Sequence, residues 1–220
     1  MKKVEIDTII FDFDSTVLRG EMLEILAEVK LNGHPLKRTL LERINDITNQ
    51  GMEGKISFYE SLSRRLQLLG LKESTLQDSL PQILRMINDE YIELMPKIAH
   101  KNIYIISGGY SNILHNISKE LLIKKDNIYA VKLHFKNGEF SHLDPQDPLI
   151  QSNGKAVVAK SIKDKGKTVM VGDGMTDYKV KLSGAAEYFV AYKGVAERRE
   201  VCNRADYVID DLRSLKGLFA

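Results

Sequence analysis

The sequence predicts an α/β fold: a Rossmann-like parallel sheet flanked by helices, with a helical cap inserted into it. Three observations carry this reading. Short β-branched or aromatic runs alternate with longer helical patterns, as in a parallel sheet joined by crossover helices. The three clearest strands each run into a polar or glycine-rich turn, and ligands of open α/β sheets collect at the carboxyl ends of strands. Between the first and second strands, from Gly20 to Met95, the chain reads mainly as helix, much more than one crossover needs.

The first strand is expected over Val4 to Phe11 and ends in Asp12-Phe13-Asp14. Residues 19–80 are then expected to form the cap, with 1–18 and 81–220 as the α/β core and the last of the helical stretch returning the chain to the sheet. The second strand, Ile103 to Ile106, leads into Ser107-Gly108-Gly109. From Lys136 to Gly154, Asn137-Gly138 followed by Pro145 and Pro148 predicts a hairpin turn and then a loop. A helix follows, carrying Ala156, Val157, Val158 and Ile162. Thr168 to Val171 is the third clear strand and runs into Gly172-Asp173-Gly174, and Tyr188 to Ala191 and Tyr207 to Ile209 are further candidates.

Bulk properties narrow the function classes. A chain of 220 residues, 43% hydrophobic and 28% charged, has the composition of an ordinary globular protein. A net charge of +2 is too mild to imply a nucleic-acid partner. The single cysteine, Cys202, cannot form an internal disulfide and suits a reducing compartment as a small apolar filler. Met1-Lys2-Lys3 superficially resembles the start of a signal peptide, but Glu5, Asp7 and Asp12 interrupt the run. No stretch has the length of a membrane span. A cytoplasmic protein, monomer or homodimer, with no membrane or nucleic-acid partner, is expected.

A buried strand that ends by bringing two carboxylates together raises an electrostatic question. Like charges that close raise each other's pKa unless a cation or a proton separates them. A lone Asp-x-Asp is equally an N-cap or a solvated turn. A third strand-end acid, Asp173, with Asp177 four residues on, turns the pattern into a site for a hard cation, with oxygen ligands favouring Mg²⁺ over zinc. His34, His100, His115, His134 and His142 show no ligand spacing.

Lys155, at the head of a helical pattern, is either a surface lysine or an ammonium facing these acids. Ser107, Gly108 and Gly109 are either a tight turn or a hydroxyl and backbone amides suited to phosphate. Together with Mg²⁺ they would surround a phosphoryl group with positive potential. No Gly-x-x-x-x-Gly-Lys-Ser/Thr loop is present, which argues against a nucleotide kinase.

Asp12-Phe13-Asp14-Ser15-Thr16, Ser107-Gly108-Gly109, Lys155 and Gly172-Asp173-Gly174-Met175-Thr176-Asp177 resemble, in order and spacing, the four motifs of haloacid dehalogenase-like phosphatases. The resemblance covers most of the chain. It implies Asp12 as nucleophile, Asp14 as acid/base, and Mg²⁺ held by Asp12, the Asp14 carbonyl and Asp173. Asp177 would orient metal waters or Lys155, itself part of the catalytic set. An Asp at position 14 indicates phosphatase chemistry through an aspartyl phosphate.

A narrower resemblance, to the family members that hydrolyse phosphoserine, rests on Glu21, on "GMEGKISFYESLSRRLQLL" (51–69) and on "FKNGEFSHLDPQDPLIQSNGK" (135–155). It implies that Glu21 takes the ammonium and Arg65 the carboxylate of a small phosphorylated amino acid. Met52 and Phe58 would cover it with apolar surface, and Thr176 and the Glu53 backbone would add contacts. On their own residues, Glu21 also suits a helix N-terminus, Arg65 a solvated Arg64-Arg65 pair, and Met52 and Phe58 plain core. Two other readings share these motifs. One is a phosphatase or phosphotransferase for another small phosphomonoester, the other a silent module that binds phosphate or Mg²⁺. The chain departs from the family's pattern before the second motif, where Asn88-Asp89-Glu90-Tyr91 through Met95-Pro96 replaces a Pro-Gly turn. That departure implies a different hinge.

Overall fold

The computed structural model describes residues 4–52 and 55–219, with Met52 described by its backbone alone. The expectations for Met52 and Glu53 lie outside the described residues. The elements run β1 (Thr8–Phe11), α1 (Met22–Lys30), α2 (Lys37–Met52), α3 (Phe58–Leu69), α4 (Glu73–Arg85), α5 (Asp89–Leu94), β2 (Asn102–Tyr110), α6 (Ser111–Leu114) and β3 (Ile128–Val131). They continue with β4 (Leu133–Lys136), β5 (Glu139–Leu143), α7 (Gly154–Ser161), β6 (Thr168–Gly172), α8 (Met175–Leu182), β7 (Tyr188–Tyr192), α9 (Arg199–Cys202), β8 (Tyr207–Ile209) and α10 (Leu215–Leu218).

Six strands form one parallel sheet in the order β3-β2-β1-β6-β7-β8. β1 sits inside it, every residue buried, because both faces are covered by helices and a two-faced strand must be apolar throughout. Phe11 meets the edge of the Tyr91 ring at 5.4 Å, which packs α5 on the sheet. The topology sets the site. β1 is followed by β2 on one side and, much later, β6 on the other, so the carboxyl ends of all three open into one crevice.

Several local expectations are corrected. β1 starts at Thr8 rather than Val4, because Asp7 bends the chain by accepting the Lys167 amide on its carboxylate at 2.8 Å, and Val4 bridges Phe219 instead. Ser107-Gly108-Gly109 is not a turn after a short strand. β2 runs on to Tyr110, and its register against β3 slips between Ser107 and Tyr110, which places the three residues in a bulge. β3 itself is an addition to the expected strands.

The Asn137-Gly138 turn closes the β4–β5 hairpin, with φ of 53° and 77°, the pair of left-handed residues that a tight hairpin turn needs. This hairpin reaches the α3–α4 connection: the Phe140 amide donates to the Leu71 carbonyl and the Glu73 amide to the Gly138 carbonyl, both at 2.9 Å. Within the helical segment, Ser57 caps α3 through the Glu60 amide at 3.1 Å, and Gly70 ends it with φ 57°. α4 runs unbroken through residue 80, and the chain rejoins its outgoing strand where Ile87 bridges Leu18. No described helix is long and apolar enough to cross a membrane.

Candidate active site

At the end of β1 the ladder carries one residue further, through the Asp12 amide to the Val171 carbonyl at 2.8 Å. A wide turn over Phe13–Val17 follows, in which Ser15 adopts φ 51°. A non-glycine residue there costs on the order of 1 kcal/mol or more. The turn fixes two acids. Asp12 Oδ1 accepts the Phe13 amide at 2.7 Å, and Asp14 Oδ1 accepts the Met22 amide at 3.0 Å, at the N-terminus of α1, where a carboxylate is favoured. Ser15 ties in a third by donating its hydroxyl to Glu21 Oε1 at 2.7 Å.

At the end of β6, Gly172 has a steric reason: a Cβ there would collide with the Asp177 carboxylate. That carboxylate accepts the Gly174 amide through Oδ2 at 2.9 Å. Lys155 in the first turn of α7 then places Nζ 2.7 Å from Asp12 Oδ1 and 2.8 Å from Asp177 Oδ1. All three side chains are nearly or wholly buried, so the ammonium is the counter-ion of the interior and not a surface charge.

Asp12, Asp173 and Asp177 bring one carboxylate oxygen each within 4.8 Å of one another. Burial pushes the Asp12 carboxyl well above the usual range, the Asp177 charge adds to this, and Lys155 opposes it. Burial likewise raises Asp173, against the hydrogen bond from Arg198. Asp14 is pushed up to about 8 by burial and then by the Glu21 charge. For Lys155, burial works against the charged form, but Asp12 and Asp177 outweigh it and raise its pKa. Acids thus outnumber cations in a buried, all-oxygen cluster. That donor set fits a hard divalent cation, which would supply the missing positive charge.

These groups open into a cavity of about 730 Å³. Asp12, Asp14, Lys155 and Asp173 line its floor, with Gly108, Gly109 and Thr176. Glu21, Phe58 and Arg65 face it from the helical segment, Phe58 as one of the exposed apolar residues. Arg65 is anchored by Nε to the Ser61 carbonyl at 3.2 Å, and burial lowers its pKa. Ser107 and Asp177 are fully buried behind the wall. Ser107 Oγ accepts the Gly109 amide at 2.8 Å, so it shapes the bulge.

Sequence reasoning missed Arg198. In the loop after β7, it donates through Nε to Asp173 Oδ2 at 2.7 Å and sets Nη2 3.8 Å from Glu21 Oε1, linking a member of the acidic cluster to the opposite wall. Nothing local distinguishes Arg198-Arg199 from a solvated pair, and only the approach of the β7 loop to the β6 end reveals it.

A profile of the haloacid dehalogenase-like hydrolases matches residues 9–180. The phosphoserine phosphatase of Bos taurus is 31% identical over 217 residues, spanning 96% of this chain and 92% of that protein. The chloroplastic phosphoserine phosphatase of Arabidopsis thaliana is 33% identical over 217 residues, 96% of this chain and 70% of its own. Among solved structures, a phosphoserine phosphohydrolase-like protein from Francisella tularensis subsp. tularensis SCHU S4 superposes with a TM-score of 0.84 at 33% identity, covering 98% of this chain and all of that one.

Proposed function

This chain belongs to the haloacid dehalogenase-like hydrolase family, and from that premise we propose that it is a Mg²⁺-dependent phosphatase that hydrolyses O-phospho-L-serine to L-serine and phosphate. The observation that carries the reading is the position of Lys155 between Asp12 and Asp177, on the floor of a cavity that Asp14, the glycine bulge, Glu21 and Arg65 also line.

Asp12 is the nucleophile in this reading. Lys155 and the Phe13 amide both hold Oδ1, and Oδ2 is the oxygen assigned to the attack on phosphorus. As the new P–O bond forms, the bond to the serine oxygen breaks, and Asp14 delivers its proton to that oxygen. In the second step water attacks the aspartyl phosphate, Asp14 takes the water's proton, and the P–O bond to Asp12 breaks to release phosphate. An acid that serves in both directions works best with a pKa near the working pH, and burial pushes Asp14 toward that range. Lys155 and the Gly108 amide would hold the phosphoryl oxygens, the Gly109 amide being taken by Ser107 Oγ.

Mg²⁺ would be held by Asp12, Asp173 and the Asp14 carbonyl, with Asp177 behind, and would offset the charge of the phosphoryl group when bound. Residues 19–80, extended by the rest of α4, are assigned to a cap over the site. Glu21 would take the substrate ammonium, Arg65 its carboxylate in a bidentate fork, and Thr176 and Phe58 the remaining surface. Cytoplasmic action is part of this reading, supported by a single cysteine in the chain.

The test is phosphate release in Mg²⁺ from O-phospho-L-serine against phosphothreonine, phosphoethanolamine and sugar phosphates. Phosphoserine should have the highest kcat/KM, and a sugar phosphate in that place would overturn the substrate assignment.

A further inference from the structure

Two segments join the sheet to the helical region, and they run antiparallel. Leu18 bridges Ile87, the Asn88 amide donates to the Val17 carbonyl at 2.8 Å, and the Arg19 amide to the Met86 carbonyl at 2.8 Å. Asn88 is buried beneath them and makes three further contacts. Its Nδ2 donates to the Thr16 carbonyl at 3.3 Å and to the Tyr192 hydroxyl at 2.8 Å, and its Oδ1 accepts the Glu90 amide at 3.0 Å. The Tyr192 hydroxyl in turn donates to Glu90 Oε2 at 3.1 Å, an oxygen that also accepts the Leu212 amide at 3.0 Å.

This cluster has a single direction. An amide nitrogen only donates and an ionised carboxylate only accepts, so the phenol between them must accept from Asn88 and give its one proton to Glu90. The two groups therefore share one hydroxyl, which links them. Tyr192 is also the last residue of β7, at the head of the loop that carries Arg198 to Asp173. Two residues on, Gly194 passes so close that a Cβ there would strike the Tyr192 ring end and hydroxyl. The path of the loop rests on that ring.

We propose that Tyr192 is a positioning residue: through Asn88 it fixes the sheet side of the hinge between residues 16–19 and 86–88, and through Gly194 it fixes the loop bearing Arg198, so that hinge and pocket wall are held in one register. The inference goes beyond the proposed phosphatase activity and rests on it only for its kinetic readout.

Tyr192→Phe removes the hydroxyl and keeps the ring. Loss of one hydrogen bond of this kind should raise the KM for O-phospho-L-serine roughly 5-fold. The kcat/KM for p-nitrophenyl phosphate, which carries no amino-acid part to enclose, should stay unchanged. Amide hydrogen exchange at Arg19 and Asn88 should accelerate about 10-fold. Glu90→Gln, which keeps an acceptor, should remain near wild type in all three. An equal fall on both substrates with linker exchange unchanged would reduce Tyr192 to a packing role and overturn the proposal, as would an unaltered KM. Should the wild-type protein fail to turn over phosphoserine, the functional reading falls, and the exchange comparison alone decides the hinge: unchanged exchange in Tyr192→Phe overturns it.

Discussion

Lys155 Nζ stands 2.7 Å from Asp12 Oδ1, in a place where neither side chain is more than a tenth exposed. Such a pair attracts strongly only because water is excluded, and for the same reason each partner is expensive to leave alone. Lys155→Met should therefore lower phosphate release by about 10²-fold or more and destabilise the fold by roughly 3–5 kcal/mol. Steady-state assays and thermal melts check both numbers. A variant with full activity would remove Lys155 from the site.

Arg65 is assigned to the substrate carboxylate. Arg65→Ala should raise the KM for phosphoserine about 10-fold or more, the worth of a charge-assisted hydrogen bond of roughly 1.5–3 kcal/mol. The KM for phosphoethanolamine, which lacks the carboxylate, should change little. Equal effects on both substrates would contradict the assignment.

Three carboxyls of the site, Asp12, Asp14 and Asp173, are shifted upward, each chiefly by burial. A folded-state pKa above the unfolded value means the folded chain binds more protons between the two, so stability must fall as pH rises through that interval. For Asp14 the interval runs from the ordinary carboxylate value up to about 8. In chelator, the melting temperature should drop by several degrees between about pH 5 and 8, and Mg²⁺ should flatten that slope. A chelated protein with higher melting temperature at pH 8 than at pH 5 would contradict this.

Arg198 places a positive charge 2.7 Å from Asp173. Its charge disfavours a second cation at the same carboxylate, so Arg198→Ala should bind Mg²⁺ about 3–10-fold tighter by calorimetry, a change of order 1 kcal/mol. Weaker binding would mean that the guanidinium acts by aiming the Asp173 carboxylate.

What the sequence made legible was local. Each strand-end motif announces itself within six residues, as Asp12-Phe13-Asp14 and Gly172-Asp173-Gly174 do, because an apolar run that stops at acids or glycines has few structural explanations. The Asn137-Gly138 turn was legible for a similar reason, since its two left-handed residues restrict the sequence. Other features depend on distant partners. Asp7 shortens β1 through the Lys167 amide, and the bulge at Ser107 exists only relative to β3. β3 itself is four residues beside lysine-rich flanks, too short to show a period. The expected cap boundary at residue 80 falls inside α4, whose periodicity carries no mark of where the chain rejoins the sheet. Arg198 reaches Asp173 across 25 positions, and no spacing rule connects them.

The central claim is that the Asp12 carboxylate takes the phosphoryl group. Acid quenching after mixing with phosphate-labelled O-phospho-L-serine in Mg²⁺ tests it most directly. Wild-type protein should retain label at Asp12, and Asp12→Asn should retain none and release no phosphate. Phosphate release by Asp12→Asn at the wild-type rate, or label on any other residue, would contradict the account.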